Sequence, residues 1–209
     1  MLLNYYYWYF TGALSPKICQ KIISLSKKRK KLKAITGTPS KNISTYEKLT
    51  KKQKLKLKKT RNSNIIWLNE PWLFELLQPY VRTANKNSGW NFQWERSEAI
   101  QFTQYKKNQF YNWHQDTFPN PHTEGPFKDL IRKLSVSVSL TDENKCVGGD
   151  LEFDLRNLSD KPNNIITCKE VKPQGSIVVF PSHIWHRVKP ITTGTRQSLV
   201  MWNDGKPFV

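Results

Sequence analysis

The chain has 209 residues and 24.6 kDa, with 8 Trp, 8 Tyr and 10 Phe, which is enough to fill a hydrophobic core without covalent staples. Its three cysteines, Cys19, Cys146 and Cys168, are odd in number and lack C-x-x-C spacing, which argues against a disulfide framework and a zinc cluster and makes a reducing cytoplasm the default expectation. The net charge of +18 is local: residues 17–61 hold 17 Lys or Arg against one acid, Glu47, whereas residues 62–209 hold 17 against 15.

The opening M-L-L-N-Y-Y-Y-W-Y-F is apolar for ten residues only and has no basic n-region. It predicts a first β-strand rather than a signal peptide or membrane span, and no membrane partner is expected. Ser15 then caps a predicted helix over about 16–28, with Pro16 in its first turn and Ile18, Ile22 and Leu25 at helical spacing. The Lys-rich stretch from about 27 to 61 offers too few apolar residues for a buried face, so it predicts a flexible basic excursion. Asn69-Glu70-Pro71 opens a second amphipathic helix, ended by Asn87-Ser88-Gly89, that should pack on a sheet.

From Trp90 the pattern changes to short strands separated by turn residues. They are expected at 91–94, 99–105, 134–140, 150–155, 165–168, 176–180, 186–188 and 197–202. This is the pattern of an antiparallel sandwich or barrel. No nucleotide-type Gly-rich loop follows any strand, and no internal repeat is visible. The expected organisation is one domain, with residues 1–95 as an N-terminal support and residues 96–204 as a β core. The alternation Leu134, Val136, Val138, Leu140 marks core packing.

His114-x-Asp116 is the first chemical signal. In an extended chain, residues two apart face one side, so both could reach one metal ion. Alone the pair is weak, because an exposed turn of that composition is commonplace. A third ligand is available in F-P-S-H-I-W-H-R-V, where His183 and His186 compete. His186 is preferred because Arg-Val follows it directly and Arg196 stands ten residues on. Two His and one carboxylate leave open coordination positions and suit non-heme Fe(II), whereas zinc favours three His, His2Glu or thiolates. If the chain turns back through Pro190–Gly194, Arg196 faces His186 across an antiparallel pair. A guanidinium fork there would bind one end of a dicarboxylate whose other end chelates the metal, as 2-oxoglutarate does.

Tyr105, Asn108, Tyr111, His114-x-Asp116, Val147–Leu151, Gly175–Pro181, His186-Arg-Val and Arg196 resemble, in order and spacing, the motif series of the prolyl 4-hydroxylase-like branch of the 2-oxoglutarate and Fe(II)-dependent oxygenases. The resemblance covers about residues 97–204. It implies a mainly β chain with supporting helices: a double-stranded β-helix (jelly roll, cupin-like), with the N-terminal strand and helices packed on one sheet. It also implies iron held by His114, Asp116 and His186, and O2-dependent decarboxylation of 2-oxoglutarate to succinate and CO2 coupled to C–H hydroxylation.

By the same resemblance Tyr105 joins Arg196 in binding 2-oxoglutarate, Trp202 lies against the substrate, and ascorbate is a candidate reductant. No catalytic residue beyond the metal ligands is implied, since metal and cosubstrate carry the chemistry. Gly148 and Gly149 would admit a sharp turn where a Cβ would clash. Asn108 replaces a common family Gly and tolerates the left-handed conformation. Trp113 and Tyr111 are further candidates for the substrate wall, although strand aromatics are more often core. His122 reads as a surface residue of a Pro-rich loop.

A peptidyl proline is the leading substrate, and a proline-containing peptide or protein the expected partner. Alternatives are a free amino acid, another protein side chain, a nucleic-acid base, or a catalytically silent barrel serving as a binding module. The basic segment is open to three readings: a solvated surface, a substrate-docking loop, or a nucleic-acid contact. The last is not favoured, because the run lacks interleaved aromatics.

Overall fold

The computed structural model describes residues 3, 5–36, 46–155 and 164–208. Helix α1 (Pro16–Lys27) begins as its sequence demands: the Ser15 side chain accepts from the Ile18 N–H and Pro16 occupies the first turn, while Cys19, Ile22 and Ile23 are buried. Helix α2 (Lys51–Thr60) lies inside the basic segment. Helix α3 (Pro71–Asn87) turns Leu73, Leu77, Val81 and Ala84 inward.

The strands are β1 (Trp8–Phe10), β2 (Leu32–Lys33), β3 (Arg61–Asn62), β4 (Asn64–Leu68), β5 (Arg96–Ser97), β6 (Ile100–Tyr105), β7 (Phe110–His114) and β8 (Ile131–Ser139). They continue with β9 (Cys146–Gly148), β10 (Leu151–Asp154), β11 (Ile165–Thr167), β12 (Ile177–Pro181), β13 (Trp185–Val188), β14 (Ile191–Gly194) and β15 (Arg196–Gly205).

Among the described residues the large sheet runs β1-β12-β8-β15-β6-β4-β2, with β5 on the end of β15, and a second sheet runs β11-β10-β13-β7-β3. All their pairings are antiparallel. The period-two rule sorts the large sheet into two faces. Leu134, Val136 and Val138 of β8, Leu199 and Met201 of β15 and Ile100 and Phe102 of β6 form one core with Ile22 of α1 and Leu73, Leu77 and Val81 of α3. The opposite face is more polar. It carries Gln101, Thr103 and Tyr105 of β6 and Arg196, Ser198 and Trp202 of β15, and these line a cavity between the sheets. Phe153, Phe180, Leu151, Val188 and Ile191 form the second core at that level. Two facing antiparallel sheets make the expected jelly roll, with α1 and α3 on the large sheet, whereas α2 does not join them there and lies instead against β3 and β7 of the second sheet.

Three expectations need correction. Residues 91–94 are not a strand: Asn91 has φ 51°, and the Asn85 side chain bonds both the N–H and the C=O of Phe92, which makes a buried aromatic elbow after α3. The basic segment is not a flexible excursion where it is described. Thr50 and Gln53 form a reciprocal capping box at the start of α2, Lys, Leu and Gln are good helix formers, and Leu57 is buried. Residues 37–45 lie outside the described residues, as do residues 1, 2 and 4 of the predicted N-terminal strand. Finally, β13 and β15 do not pair. His186 stands opposite Phe153 and His114, and Arg196 opposite Tyr105, so the two residues approach from different sheets.

Candidate metal centre and anion pocket

His114 ends β7 and His186 lies on β13, and the two are register partners. Asp116 follows in the bend after β7, where its N–H and that of Thr117 both donate to the Ser182 carbonyl, at 2.9 and 3.1 Å. These two hydrogen bonds draw the bend onto the end of β12. His186 Nε2 lies 3.5 Å and His114 Nε2 3.7 Å from the Asp116 carboxylate oxygens. The three side chains therefore offer ligand atoms within 4.8 Å of one another.

Each imidazole is oriented from behind. His114 Nδ1 lies 2.8 Å from the Asn112 carbonyl and His186 Nδ1 2.9 Å from that of Ile184. A carbonyl only accepts, so Nδ1 carries the hydrogen and each Nε2 presents a lone pair to the shared space. Burial and then the neighbouring His186 hold His114 well below the usual histidine range. Burial alone would raise Asp116, but His186, His114 and Arg132 more than offset it, so the carboxyl titrates below its ordinary range. His114 is thus held as the neutral imidazole and Asp116 as the carboxylate, the forms in which those two groups bind a divalent cation.

Tyr111 stacks on the His114 ring, with centroids 3.4 Å apart, and the Arg61 guanidinium lies 4.5 Å above Tyr111. Arg61 is fixed in turn by Ser63 and Gln101. Neither Arg61 nor Ser182 was singled out from sequence, because their parts depend on long-range pairing that no local motif encodes.

The cavity beside this cluster has a volume of about 590 Å³. At its other side Arg196 is 8% exposed. Its guanidinium donates to Ser198 Oγ at 3.1 Å, and no carboxylate lies within 4 Å of it among the described residues. Burial lowers its pKa, the sign that the charged form lacks adequate compensation. An unpaired buried guanidinium facing an open cavity fits an incoming carboxylate. Tyr105, the register partner of Arg196, places its ring 5.7 Å from that guanidinium. Gly149, at φ 71°, packs so closely that an added Cβ would sit 2.4 Å from Ile191 Cδ1 and 2.9 Å from Arg196 Cδ. Asn108 is left-handed at φ 63°.

The outer wall differs in part from expectation. Trp202 lines the cavity under the Arg132 guanidinium, 3.9 Å from its ring, and 6.3 Å from Trp67. Tyr111 lines it as well, although it is braced between Arg61 and His114. Trp113 does not line it: adjacent strand residues face opposite sides, and Trp113 lies under Arg187 instead. His183 is outside the ligand cluster and close to Phe208. His122 is not a free surface residue. Its Nε2 is 3.1 Å from Asp204 Oδ1, and Arg132 grips Glu98 through two bonds alongside.

A jelly-roll cavity with two histidines, an aspartate and an unpaired buried arginine defines the class of the non-heme Fe(II) oxygenases. The chain belongs, more particularly, to the 2OG-Fe(II) oxygenase superfamily, whose family model matches residues 100–204. A PKHD-type hydroxylase of Synechococcus sp. (strain CC9902) is 32% identical over 108 residues, which are 51% of this chain and 41% of that relative. The match thus spans about two fifths of the relative's length.

Solved structures agree on the fold. The viral collagen prolyl hydroxylase of Paramecium Bursaria Chlorella virus-1, in its 2OG complex, superposes with a TM-score of 0.64 at 18% identity, covering 97% of both chains. A prolyl hydroxylase from Trichoplax adhaerens, in complex with a hypoxia inducible factor peptide fragment, gives 0.63 at 17% identity, covering 96% of this chain and 84% of that one.

Proposed function

We propose that this chain is a 2-oxoglutarate- and Fe(II)-dependent dioxygenase that hydroxylates a peptide or protein substrate at a prolyl residue. The carrying observation is the juxtaposition of the His114, Asp116 and His186 ligand atoms with the unpaired Arg196 guanidinium in one cavity. Residues 96–204 serve as the oxygenase core and residues 1–95 as its support.

When bound, iron and 2-oxoglutarate supply the oxidising chemistry: one O2 is consumed, the cosubstrate becomes succinate and CO2, and a substrate C–H becomes C–OH. The protein supplies position and dryness. His114, Asp116 and His186 would hold the metal, with the Asn112 and Ile184 carbonyls keeping each Nε2 aimed inward. Arg196 would bind the distal carboxylate through its planar fork, aided by Ser198 and the Tyr105 hydroxyl. Leu151, Phe180 and Val188 exclude water from the metal side of the cavity. Trp202 and Trp67 form an aromatic wall suited to a pyrrolidine ring. Ascorbate would act as an external reductant and needs no site of its own.

A peptide substrate is supported by the Trichoplax prolyl hydroxylase, which carries a peptide on the same fold. The test is mass spectrometry of proline-containing peptides after incubation with Fe(II), 2-oxoglutarate and O2, with succinate measured in parallel. A gain of one oxygen on proline matched by succinate supports the reading. Succinate without proline oxidation moves the target to another residue, and no cosubstrate turnover overturns the oxygenase.

A further inference from the structure

Helix α2 places six lysines, Lys51, Lys52, Lys54, Lys56, Lys58 and Lys59, on ten residues, or about 15 Å of helix. All except Lys54 are exposed, and none lies within 4 Å of a carboxylate among the described residues. Lys54 instead covers the Tyr46 ring and donates to the Glu47 carbonyl, which ties the helix to two residues of the cavity wall.

Lysine is a good helix former, but the helix dipole does not account for where these lysines stand. Lys58 and Lys59 complement the C-terminal dipole, but Lys51 and Lys52 stand in a first turn without a single acid, where a positive charge is unfavourable. Lys58 also crowds Lys33 of β2: the Lys33 ammonium is lowered by burial and then by Lys58. The resting protein therefore holds a compact, self-repelling positive surface.

Its position is specific. α2 runs into β3, and Thr60 and Arg61 at that junction line the cavity. β3 pairs with β7, the strand that ends in His114. A chain lying along α2 is thus led to the mouth of the ligand cluster.

We propose that the α2 face docks an Asp- and Glu-rich segment of the protein substrate, next in sequence to the residue that enters the cavity. The proposal rests on the peptide-oxygenase reading above and adds the charge of the partner. Complementary charge would raise the encounter rate and fix the direction of the bound chain. A nucleic acid is disfavoured because α2 carries no aromatic on which bases could stack.

The test is fluorescence anisotropy with three labelled probes: a proline peptide with Asp/Glu flanks, the same proline with Ser/Gln flanks, and a single-stranded oligonucleotide of the acidic peptide's net charge. The wild type is compared with a variant carrying Lys51→Gln, Lys52→Gln, Lys56→Gln, Lys58→Gln and Lys59→Gln, and with the corresponding Lys→Arg set. The acidic peptide should bind the wild type about tenfold or more tightly than the neutral one at low salt, and lose that advantage as salt shortens the screening length. The Gln set should lose the preference, the Arg set keep it, and both should consume 2-oxoglutarate without peptide at the wild-type rate. Equal binding of both peptides, a preference that survives in the Gln set, or tighter binding of the oligonucleotide overturns the proposal. A wild type that consumes no 2-oxoglutarate overturns the oxygenase reading instead, and the binding preference still decides the docking surface.

Discussion

His186 and His114 are register partners on adjacent antiparallel strands, and their imidazole centroids lie 4.1 Å apart. The candidate ligand cluster is thus written into the β13–β7 ladder, and only Asp116 depends on a bend. A defect in that bend should cost metal before it costs fold.

His186→Ala removes one of the three proposed ligands and leaves a small cavity beside Phe153 and Phe180. Iron content of the purified variant should fall to background, and succinate formation with it. Stability should fall by no more than about 2 kcal/mol, because the removed ring is polar and the site lies at a cavity edge. Metal analysis together with thermal unfolding checks both parts.

Arg196→Lys keeps the charge and loses the planar fork. A charge-assisted hydrogen bond is worth about 1.5–3 kcal/mol, so the KM for 2-oxoglutarate should rise roughly 10- to 100-fold. Turnover at saturating cosubstrate should change far less. Steady-state kinetics that showed kcat falling with KM unmoved would contradict this role.

Gly149→Ala tests the same carboxylate site from behind. The new Cβ meets Ile191 Cδ1 and Arg196 Cδ, and φ 71° strains any L side chain, so a loss of about 1–3 kcal/mol is expected. The KM for 2-oxoglutarate should rise as Arg196 is pushed aside. Denaturant melts and kinetics on one preparation measure the two effects.

Asp204 is fully buried, and its carboxyl is pushed up to about 7, by burial first and then by Glu98, with Arg132 opposing. It binds its proton more tightly in the folded state than in the unfolded chain, where 3.8 is the ordinary value. Its contribution to stability is therefore greatest below pH 4 and declines as pH rises towards 7. His122, lowered mainly by burial, acts in the opposite direction by losing stability as pH falls below 6.5. The difference between Asp204→Asn and wild type isolates the carboxyl: the variant should gain Tm relative to wild type between pH 4 and 7. A difference that stays flat across that window would show that Asp204 titrates normally.

Much of this protein is legible without coordinates. The alternation of Leu134, Val136 and Val138, the capped, periodic α1 and the periodic α3 encode their burial locally, and the residues spaced from His114 to Arg196 are ones the fold brings to one cavity. The missed features are those set by long-range pairing. β7 carries aromatics on both faces, so F-Y-N-W-H shows no period-two signal. Trp113 is a candidate for the cavity wall from its place beside His114 in sequence, whereas strand geometry turns it away. Arg61 acts through Tyr111, a contact created only when β3 pairs with β7. A lysine-rich helix looked unstructured because its single buried contact, Leu57, is invisible in a composition.

The most direct measurement is calorimetric titration under anaerobic conditions, first of Fe(II) into the apoprotein and then of 2-oxoglutarate into the iron-loaded protein. One equivalent of each should bind, with the first step lost in His114→Ala and the second weakened roughly 10- to 100-fold in Arg196→Lys. Iron binding that is unaltered in His114→Ala, or 2-oxoglutarate binding that is indifferent to Arg196, would contradict the account.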